Sequence, residues 1–388
     1  MGFIMSSLKY WFWLAERQGI GLVRAKVLID HFGSAERVFN ASDRDYLNVD
    51  GIGPAEVKAL IQKELGTANK ILSACAEIGC KILTLNDSNY PECLRNIYDP
   101  PIILYVKGNL PYIDDEPVVS VVGTRKCTPY GITTAENVGY ELSKNGIIVV
   151  TGLAKGVDTA ATRGALQGGS PVIGVIGSGL DIVYPPENKK IYEDVESRGA
   201  VISEYPPGTQ PLPAHFPMRN RIISGLSRGV AVIEAPKRSG ALITAARAIE
   251  QGRDVFTLPG NVDAVSCAGS NALLREGAIP FLSASDIIDE YIELYPEKII
   301  TQEEQEVKIS FDNTTKVDYI DLGNLLGKLE DDEKTIVKSI GLNSLFVDEI
   351  IINTGFPAQK VLSSLTILEL NGYVTRDDSG QWGISSRN

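Results

Sequence analysis

Histidine and paired cysteine are scarce in this sequence of 388 residues. Only two histidines occur, His31 and His215, which are too few for a histidine-based metal cluster. The five cysteines are odd in number and form no C-x-x-C pair, which argues against a disulfide framework or a zinc site. We therefore predict no bound metal, and this cysteine usage favours a reducing, cytoplasmic location.

Long apolar runs and common nucleotide fingerprints are missing as well. No run of 18 apolar residues occurs, so we expect no membrane span, and the N-terminus lacks the long apolar region of a signal peptide. The absence of G-x-x-x-x-G-K-[ST] argues against a P-loop ATPase. No G-x-G-x-x-G follows the first predicted strand of the central sheet, and no G-x-S-x-G elbow is present. We predict no cofactor and no catalytic residues.

Acidic residues are absent from four windows of the middle of the chain: Val118–Ala135, Thr159–Leu180, Tyr205–Ile233 and Ala235–Ile249. The net charge is −12, but residues 291–388 carry 9 basic and 17 acidic residues and so supply −8 of it. Several basic residues lie in these windows, many at predicted strand ends: Arg125, Lys126, Arg163, Arg219, Arg221, Lys237 and Arg238. We infer one positively charged crevice; alternatively, the glycine turns there serve only chain reversal.

Short apolar runs alternate with helical stretches over residues 115–295. The predicted strands are Val118–Val122, Ile147–Thr151, Pro171–Ile176, Ala200–Ser203, Gly229–Ile233, Asp254–Leu258 and Ile279–Leu282. This alternation predicts an α/β fold with a Rossmann-like open parallel sheet as its central domain. Ligands of such sheets bind at the carboxyl ends of the strands.

The stretch Phe216–Gly225 places Arg219, Asn220 and Arg221 at the start of a predicted helix. Two guanidiniums and an amide there form an anion clamp, and Phe216 is placed to stack on a base. The alternative is a pair of arginines in structural salt bridges and a phenylalanine in the core.

Two acidic residues, Asp158 and Asp181, follow glycine-rich turns. Each is a candidate acid or base, but helix capping or loop bracing is the interpretation we favour.

The regions on either side of the sheet differ in character. Residues 1–85 are predicted to be a small all-α domain, 86–114 a connector with an edge strand at Ile102–Val106, 296–321 an acidic linker, and 322–388 a winged helix of three helices and a hairpin. Two G-I-G turns 32 residues apart, at Gly19–Gly21 and Gly51–Gly53, resemble helix-hairpin-helix or SAM-like units. Whether these turns contact DNA phosphates or only reverse the chain stays open. The acidic residues of the winged helix disfavour duplex binding, and protein docking is at least as well supported.

Taken together, these motifs resemble the DNA-processing protein A family (DprA, also called Smf), most strongly over residues 84–284. The resemblance rests on six ordered motifs: Val121–Arg125, Thr151–Ala161, Gly179–Pro185, Ser203–Gly208, Phe216–Gly225 and Gly252–Phe256. Three positions depart from the family pattern: Thr124 replaces a serine, Lys155 an arginine, and Thr162 a histidine. Lysine keeps the charge of arginine but not its planar fork of donors.

The resemblance implies a recombination mediator rather than an enzyme. Such proteins bind and protect incoming single-stranded DNA in natural transformation, help to load the RecA recombinase, and act as homodimers through the Rossmann-like domain. By motif match, Arg125, Arg219 and Arg221 bind phosphates. The Gly152–Gly156 turn offers backbone amides, among them those of Gly152 and Gly156. Phe216 stacks on a base. The remaining expected DNA contacts are Lys155, Asn220, Ser239 and Gly240.

Two other functions are weighed against this one. The first is a nucleotide-cleaving hydrolase on a related Rossmann-like fold, with Asp158, Asp181 or Glu234 as the general base. The second is a transcriptional regulator that reads duplex DNA through residues 322–388.

Overall fold

Short runs of β-branched residues, bounded by glycine-rich turns, form a nine-stranded sheet in the computed structural model, which describes residues 2–299, 331–340, 345–371, 373–376 and 382–384. Its strands are β1 (Lys81–Thr84), β2 (Ile103–Gly108), β3 (Val118–Val122), β4 (Ile148–Thr151), β5 (Val172–Ile176), β6 (Ala200–Ser203), β7 (Gly229–Val232), β8 (Asp254–Thr257) and β9 (Ile279–Pro280). They lie in the order β1-β2-β6-β5-β4-β3-β7-β8-β9. The predicted α/β class with a mostly parallel open sheet is confirmed.

The sheet reverses its winding direction at β3. From this strand the chain proceeds through β4, β5 and β6 on one side and through β7, β8 and β9 on the other. Strands β3 and β7 are parallel and adjacent, with Val122 opposite Val232 at their carboxyl ends. Open α/β sheets bind their ligands at such a switch point, so the fold itself indicates where to look for a site.

The prediction of an edge strand at Ile102–Val106 is wrong. Strand β2 lies inside the sheet, where it pairs antiparallel with β1 on one side and with β6 on the other. The outermost strand on this side of the sheet is β1, which begins at the exposed Lys81. A lysine at the start of a short strand is a common way to protect a sheet edge.

Within residues 2–299 the structure has fourteen α-helices. They are α1 (Gly2–Ala15), α2 (Leu22–Phe32), α3 (Ala35–Asn40), α4 (Asp43–Tyr46), α5 (Pro54–Leu60), α6 (Ala68–Glu77), α7 (Glu92–Arg95), α8 (Pro129–Lys144), α9 (Val157–Gly168), α10 (Lys189–Arg198), α11 (His215–Leu226), α12 (Gly240–Glu250), α13 (Ser270–Arg275) and α14 (Ala284–Ile292). Helices α8 and α9 pack together, as do α11 and α12. The first turns of α9 and α12 follow the carboxyl ends of β4 and β7, where they flank the switch point.

Helices α1 to α6 pack onto the β2 side of the sheet and share one hydrophobic core with it. The ring of Phe12 stacks on that of Tyr105 in β2, with 6.5 Å between centroids. At the second G-I-G turn, the amide of Gly53 donates to the Glu56 carboxylate over 3.0 Å, and Arg24 pairs with the same carboxylate at 3.3 Å. An internal carboxylate thus occupies this turn. The helix-hairpin-helix assignment stays a prediction.

The chain divides into two compact units, Met1–Gln305 and Glu306–Asn388. The second contains α15 (Asp331–Ile340), α16 (Val347–Thr354) and α17 (Ala358–Leu370), followed by the antiparallel strands β10 (Val374–Arg376) and β11 (Trp382–Ile384). These elements enclose a separate core that includes Ile336, Ile350, Leu365 and Trp382. Residues 300–321 of the predicted acidic linker lie outside the described residues. No described helix is long and apolar enough to cross a bilayer.

Candidate nucleic-acid interface

A cleft of about 590 Å³ opens at the switch point, beyond the carboxyl ends of β3 and β7. Six of the predicted site residues line it: Arg125, Phe216, Arg219, Asn220, Ser239 and Gly240. They come from three separate segments of the chain, after β3, in α11 and at the start of α12. The topology of the sheet therefore brings these distant motifs into one site.

Basic side chains surround the cleft. Arg125, Lys126 and Arg238 line it and are exposed, and Lys237 is exposed beside Arg238. Within the described residues, none of these four forms an ion pair. Unpaired cations around a concave surface give a positive local potential, even in a chain whose net charge is −12.

An aromatic and cationic stack stands on one side of the cleft. The guanidinium of Arg125 lies over the Phe216 ring, 5.0 Å from its centroid. The Tyr184 ring lies next to that of Phe216, at 5.6 Å between centroids and an interplanar angle of 33°. Tyr184 is 39% exposed. Sequence reasoning noted the motif that ends at Pro185 but gave Tyr184 no role, because nothing in the sequence places this ring beside residue 216.

Arg219 is buried at the base of the cleft. One of its amino groups donates to the Gly152 carbonyl over 2.7 Å and to the Val175 carbonyl, so α11 is tied to the ends of β4 and β5. Its Nε has no hydrogen-bond partner among the described residues. Burial lowers the pKa of Arg219, and the neighbouring Asp158 opposes this shift. Arg219 thus combines a structural role with a position in the lining of the cleft.

Arg221 lies outside the cleft. It is fully buried and pairs with Glu204 at 2.5 Å and with Asp99 at 3.4 Å. Residues two positions apart on a helix point to different sides. The structure therefore separates Arg219 from Arg221 and does not bring them together as one clamp.

The turn after β4 is held by Asp158. Its carboxylate accepts hydrogen bonds from the amides of Gly152 (3.1 Å) and Ala154 (3.4 Å). Burial raises the pKa of Asp158, while the Arg219 guanidinium and these amides act in the opposite direction. The Gly152 amide is bonded to the Asp158 carboxylate, so Gly152 helps to shape the turn. Its carbonyl accepts the hydrogen bond from Arg219.

Gly156, at the end of this turn, allows a close approach between two loops. Its φ is +79°, and a Cβ there would lie 2.4 Å from the carbonyl oxygen of Thr124. Only glycine fits both the backbone angle and the contact. Gly156 thereby sets the position of the loop that carries Arg125.

The first turn of α12 opens onto the cleft. Ser239 is its N-cap and accepts from the Ala241 amide at 3.3 Å, while Asn220 donates to the Gly240 carbonyl over 3.1 Å. Gly240 is exposed, and no atom lies within 4 Å of where its Cβ would be. Free amides and the helix dipole make such a terminus attractive to a phosphate.

Lys155 lines a smaller adjoining cavity of about 40 Å³, together with Gly152 and Tyr184. Arg125, Phe216 and Arg219 belong to the walls of both cavities. Lys155 pairs with Glu187 at 2.5 Å, and both side chains are more than half exposed. Lys155 is therefore a cation of the site whose ion pair with Glu187 is exposed to solvent and weak.

The two other carboxylates considered for a hydrolase also contact backbone. Glu234 is buried and accepts from the amide (2.9 Å) and the hydroxyl (2.6 Å) of Thr128, which caps α8. Asp181 accepts from the Gly208 amide at 2.8 Å. Like Asp158, both side chains hold loops in place.

Comparison with known proteins agrees with this architecture. The sequence model of the DNA recombination-mediator protein A family matches residues 81–292, and that of the DprA winged helix domain matches residues 325–380. Protein Smf of Synechocystis sp. is 33% identical over 96% of this chain and 97% of its own length. DNA processing protein DprA of Streptococcus pneumoniae is 48% identical over 53% of this chain and 72% of its own length.

Two solved structures are also similar. DNA processing protein A from Streptococcus pneumoniae superimposes with a TM-score of 0.63 at 37% identity, covering 73% of this chain and 97% of that one. DNA processing protein A from Helicobacter pylori, whose structure addresses its single-stranded DNA binding mode, gives a TM-score of 0.51 at 30% identity, covering 56% and 97%. The predicted winged helix is confirmed. With its central sheet, its C-terminal winged helix and a relative matched over nearly its whole length, the chain belongs to the DNA recombination-mediator protein A (DprA/Smf) family.

Proposed function

We propose that this protein is a recombination mediator that binds incoming single-stranded DNA in the cleft at the β3–β7 switch point during natural transformation. One observation carries the proposal. Unpaired cations, an aromatic side chain and the open N-terminus of α12 converge on a single cleft. These groups match the chemistry of a single strand, which presents phosphates along its backbone and the faces of its unpaired bases.

Each part of the cleft has a distinct role in the proposal. Arg125, Lys126 and Arg238 neutralise phosphates, and the amides at Ser239 and Gly240 receive another phosphate at the start of α12. The ring of Phe216, backed by Arg125, stacks on a base.

Buried polar side chains and two glycines position these contacts. Arg219 and Asn220 tie α11 to its neighbours, Gly152 and Gly156 shape the turn that carries Lys155, and Arg221 maintains the fold.

Salt dependence tests the proposal. Binding of a single-stranded and a duplex oligonucleotide is measured at several salt concentrations for the wild type, for Arg125→Ala, and for Arg247→Ala as the control. Arg247 is a partly exposed arginine in the last turn of α12, at the far end of that helix from the cleft. We expect the single strand to be preferred, and the slope of log K against log salt to become shallower by about 0.7 in Arg125→Ala only. Equal effects of the two substitutions would contradict the assignment.

The family resemblance extends the proposal to two partners. We propose that the protein loads RecA onto the bound strand and acts as a homodimer through the sheet domain. The exposed apolar Ile249 and Leu282 lie near β9, the last strand of the sheet, and are suited to a subunit interface. Sedimentation of an Ile249→Glu, Leu282→Glu variant tests the dimer, and the rate of RecA assembly on single-stranded DNA, with and without the protein, tests loading.

We further propose that the cleft binds without catalysing a reaction. The three candidate carboxylates, Asp158, Asp181 and Glu234, all hold loops through hydrogen bonds to backbone amides. Incubation with a panel of nucleoside monophosphates is expected to release no free base. Release that disappears in Asp158→Asn would instead establish a hydrolase.

A further inference from the structure

We propose that Tyr184 is a second base-stacking residue, so that the site holds two neighbouring unpaired bases, one on Phe216 and the other on Tyr184. This inference rests on the proposed function and adds to it a specific subsite. The observation behind it is the division of the site into two compartments that share one wall.

The shared wall is formed by Arg125 and Phe216, together with Ala154 and Arg219 at its base. On one side lies the main cleft, which leads to α12. On the other side lies the smaller cavity. Tyr184 lines this cavity but not the main cleft. A strand that passes from one compartment to the other meets Phe216 and then Tyr184.

The Tyr184 ring is held in place for this role. Its backbone carbonyl accepts from the Tyr192 hydroxyl at 2.9 Å. Four residues later, the Asn188 side chain donates to the Leu153 carbonyl (2.9 Å) and to the Thr159 hydroxyl (2.8 Å), which ties the loop to the turn after β4. A partly exposed aromatic ring on a fixed backbone loses little conformational entropy when a base stacks on it.

The spacing of the two rings favours a single strand. Their centroids are 5.6 Å apart, whereas successive bases in one strand of a duplex rise by about 3.4 Å. Because the ring planes are also inclined by 33° to each other, two bases that stack on these rings must leave the parallel stack of a duplex. Single strands do this at low cost, whereas a duplex has to break base pairs and stacking.

Charges complete the subsite. Lys155 lines the smaller cavity and pairs with the exposed Glu187, and Arg125 lines both compartments. A phosphate that links the two bases lies within the field of both cations. This arrangement favours a continuous strand over two separate nucleotides.

The test uses a single-stranded oligonucleotide whose backbone is abasic except for zero, one or two adjacent thymines. We expect the wild type to bind the all-abasic strand through its phosphates and to bind more tightly with each added base, by about 5- to 100-fold per step. Tyr184→Leu should keep the first step and lose the second, whereas Tyr184→Phe should keep both. Tyr112→Leu is the control, because Tyr112 is exposed and precedes β3 at the opposite end of the sheet.

The outcomes separate the two proposals. Unchanged binding of the all-abasic strand by Tyr184→Leu shows that this variant is folded and that its phosphate contacts are intact. If Tyr184→Leu gains as much as the wild type from the second base, the two-base subsite is wrong and the proposed function stands. If the wild type binds no single strand at all, both proposals fail.

Discussion

At the scale of single residues, the two arginines of α11 show how burial decides a role. Arg219 contacts carbonyls beneath the cleft, and Arg221 is enclosed with Glu204 and Asp99. A sequence motif records only that both residues are basic and two positions apart. Their opposite directions follow from the helical repeat, and the partners of Arg221 follow from the folded chain.

Substitution of Arg221 is predicted to reduce stability. In Arg221→Leu, the largely buried carboxylate of Glu204 loses its partner, and the free energy of unfolding should fall by about 3–5 kcal/mol. Urea denaturation measures the change. Lys190→Ala serves as the control, because it removes only an exposed pair with Asp194 and should leave the midpoint unchanged. A stable Arg221→Leu protein that no longer binds DNA would show that Arg221 contacts the strand after all.

Glu187 is predicted to restrain DNA binding. Its hydrogen bond with Lys155 holds the pKa of the Glu187 carboxyl below its usual value, so the charge is present at neutral pH. Glu187→Gln removes a negative charge from the edge of the smaller cavity and releases Lys155. Affinity for single-stranded DNA should rise severalfold at low salt, with a smaller gain at high salt. Fluorescence anisotropy at two salt concentrations distinguishes this result from unchanged or weaker binding, which would place Lys155 away from the strand.

At the scale of structural elements, the turns after β3 and β4 form one unit through Gly156. Gly156→Ala places a methyl group against the Thr124 carbonyl and is predicted to cost about 2 kcal/mol or more, because strain and a clash act together. Gly252→Ala is the matched control: its φ is +66°, but nothing lies within 4 Å, so only the backbone cost of about 1 kcal/mol applies. Thermal unfolding of both variants measures the difference. Equal losses would mean that the two loops do not depend on this contact.

Much of the sheet was predictable because its central strands are short apolar runs followed by glycine turns. The predicted strands Val118–Val122 and Ala200–Ser203 have the observed bounds. The inner position of β2 was not predictable. It depends on pairing with β1, a separate segment whose sequence gives only a weak strand pattern. Likewise, the four acid-free windows pointed to a positive crevice, but the pairing of Tyr184 with Phe216 depends on the tertiary fold.

At the scale of the whole molecule, the predicted DNA-binding residues all belong to the first compact unit, Met1–Gln305. This unit has its own core, and the C-terminal unit has another. A chain that ends at Gln305 is therefore predicted to fold and to bind single-stranded DNA with nearly the affinity of the full chain. Circular dichroism and anisotropy test this. A large loss of affinity in the folded truncation would assign part of the binding to the winged helix.

The location of the bound strand is the central claim of this account, and photochemical cross-linking tests it most directly. The full-length protein is irradiated with a single-stranded oligonucleotide, and the cross-linked peptides are identified by mass spectrometry. We predict cross-links at Phe216 and Tyr184 and in the loops that carry Arg125 and Arg238, all of which disappear at high salt. Cross-links confined to residues 1–80 or 331–388 would contradict the account, because they would separate DNA binding from the cleft at the switch point.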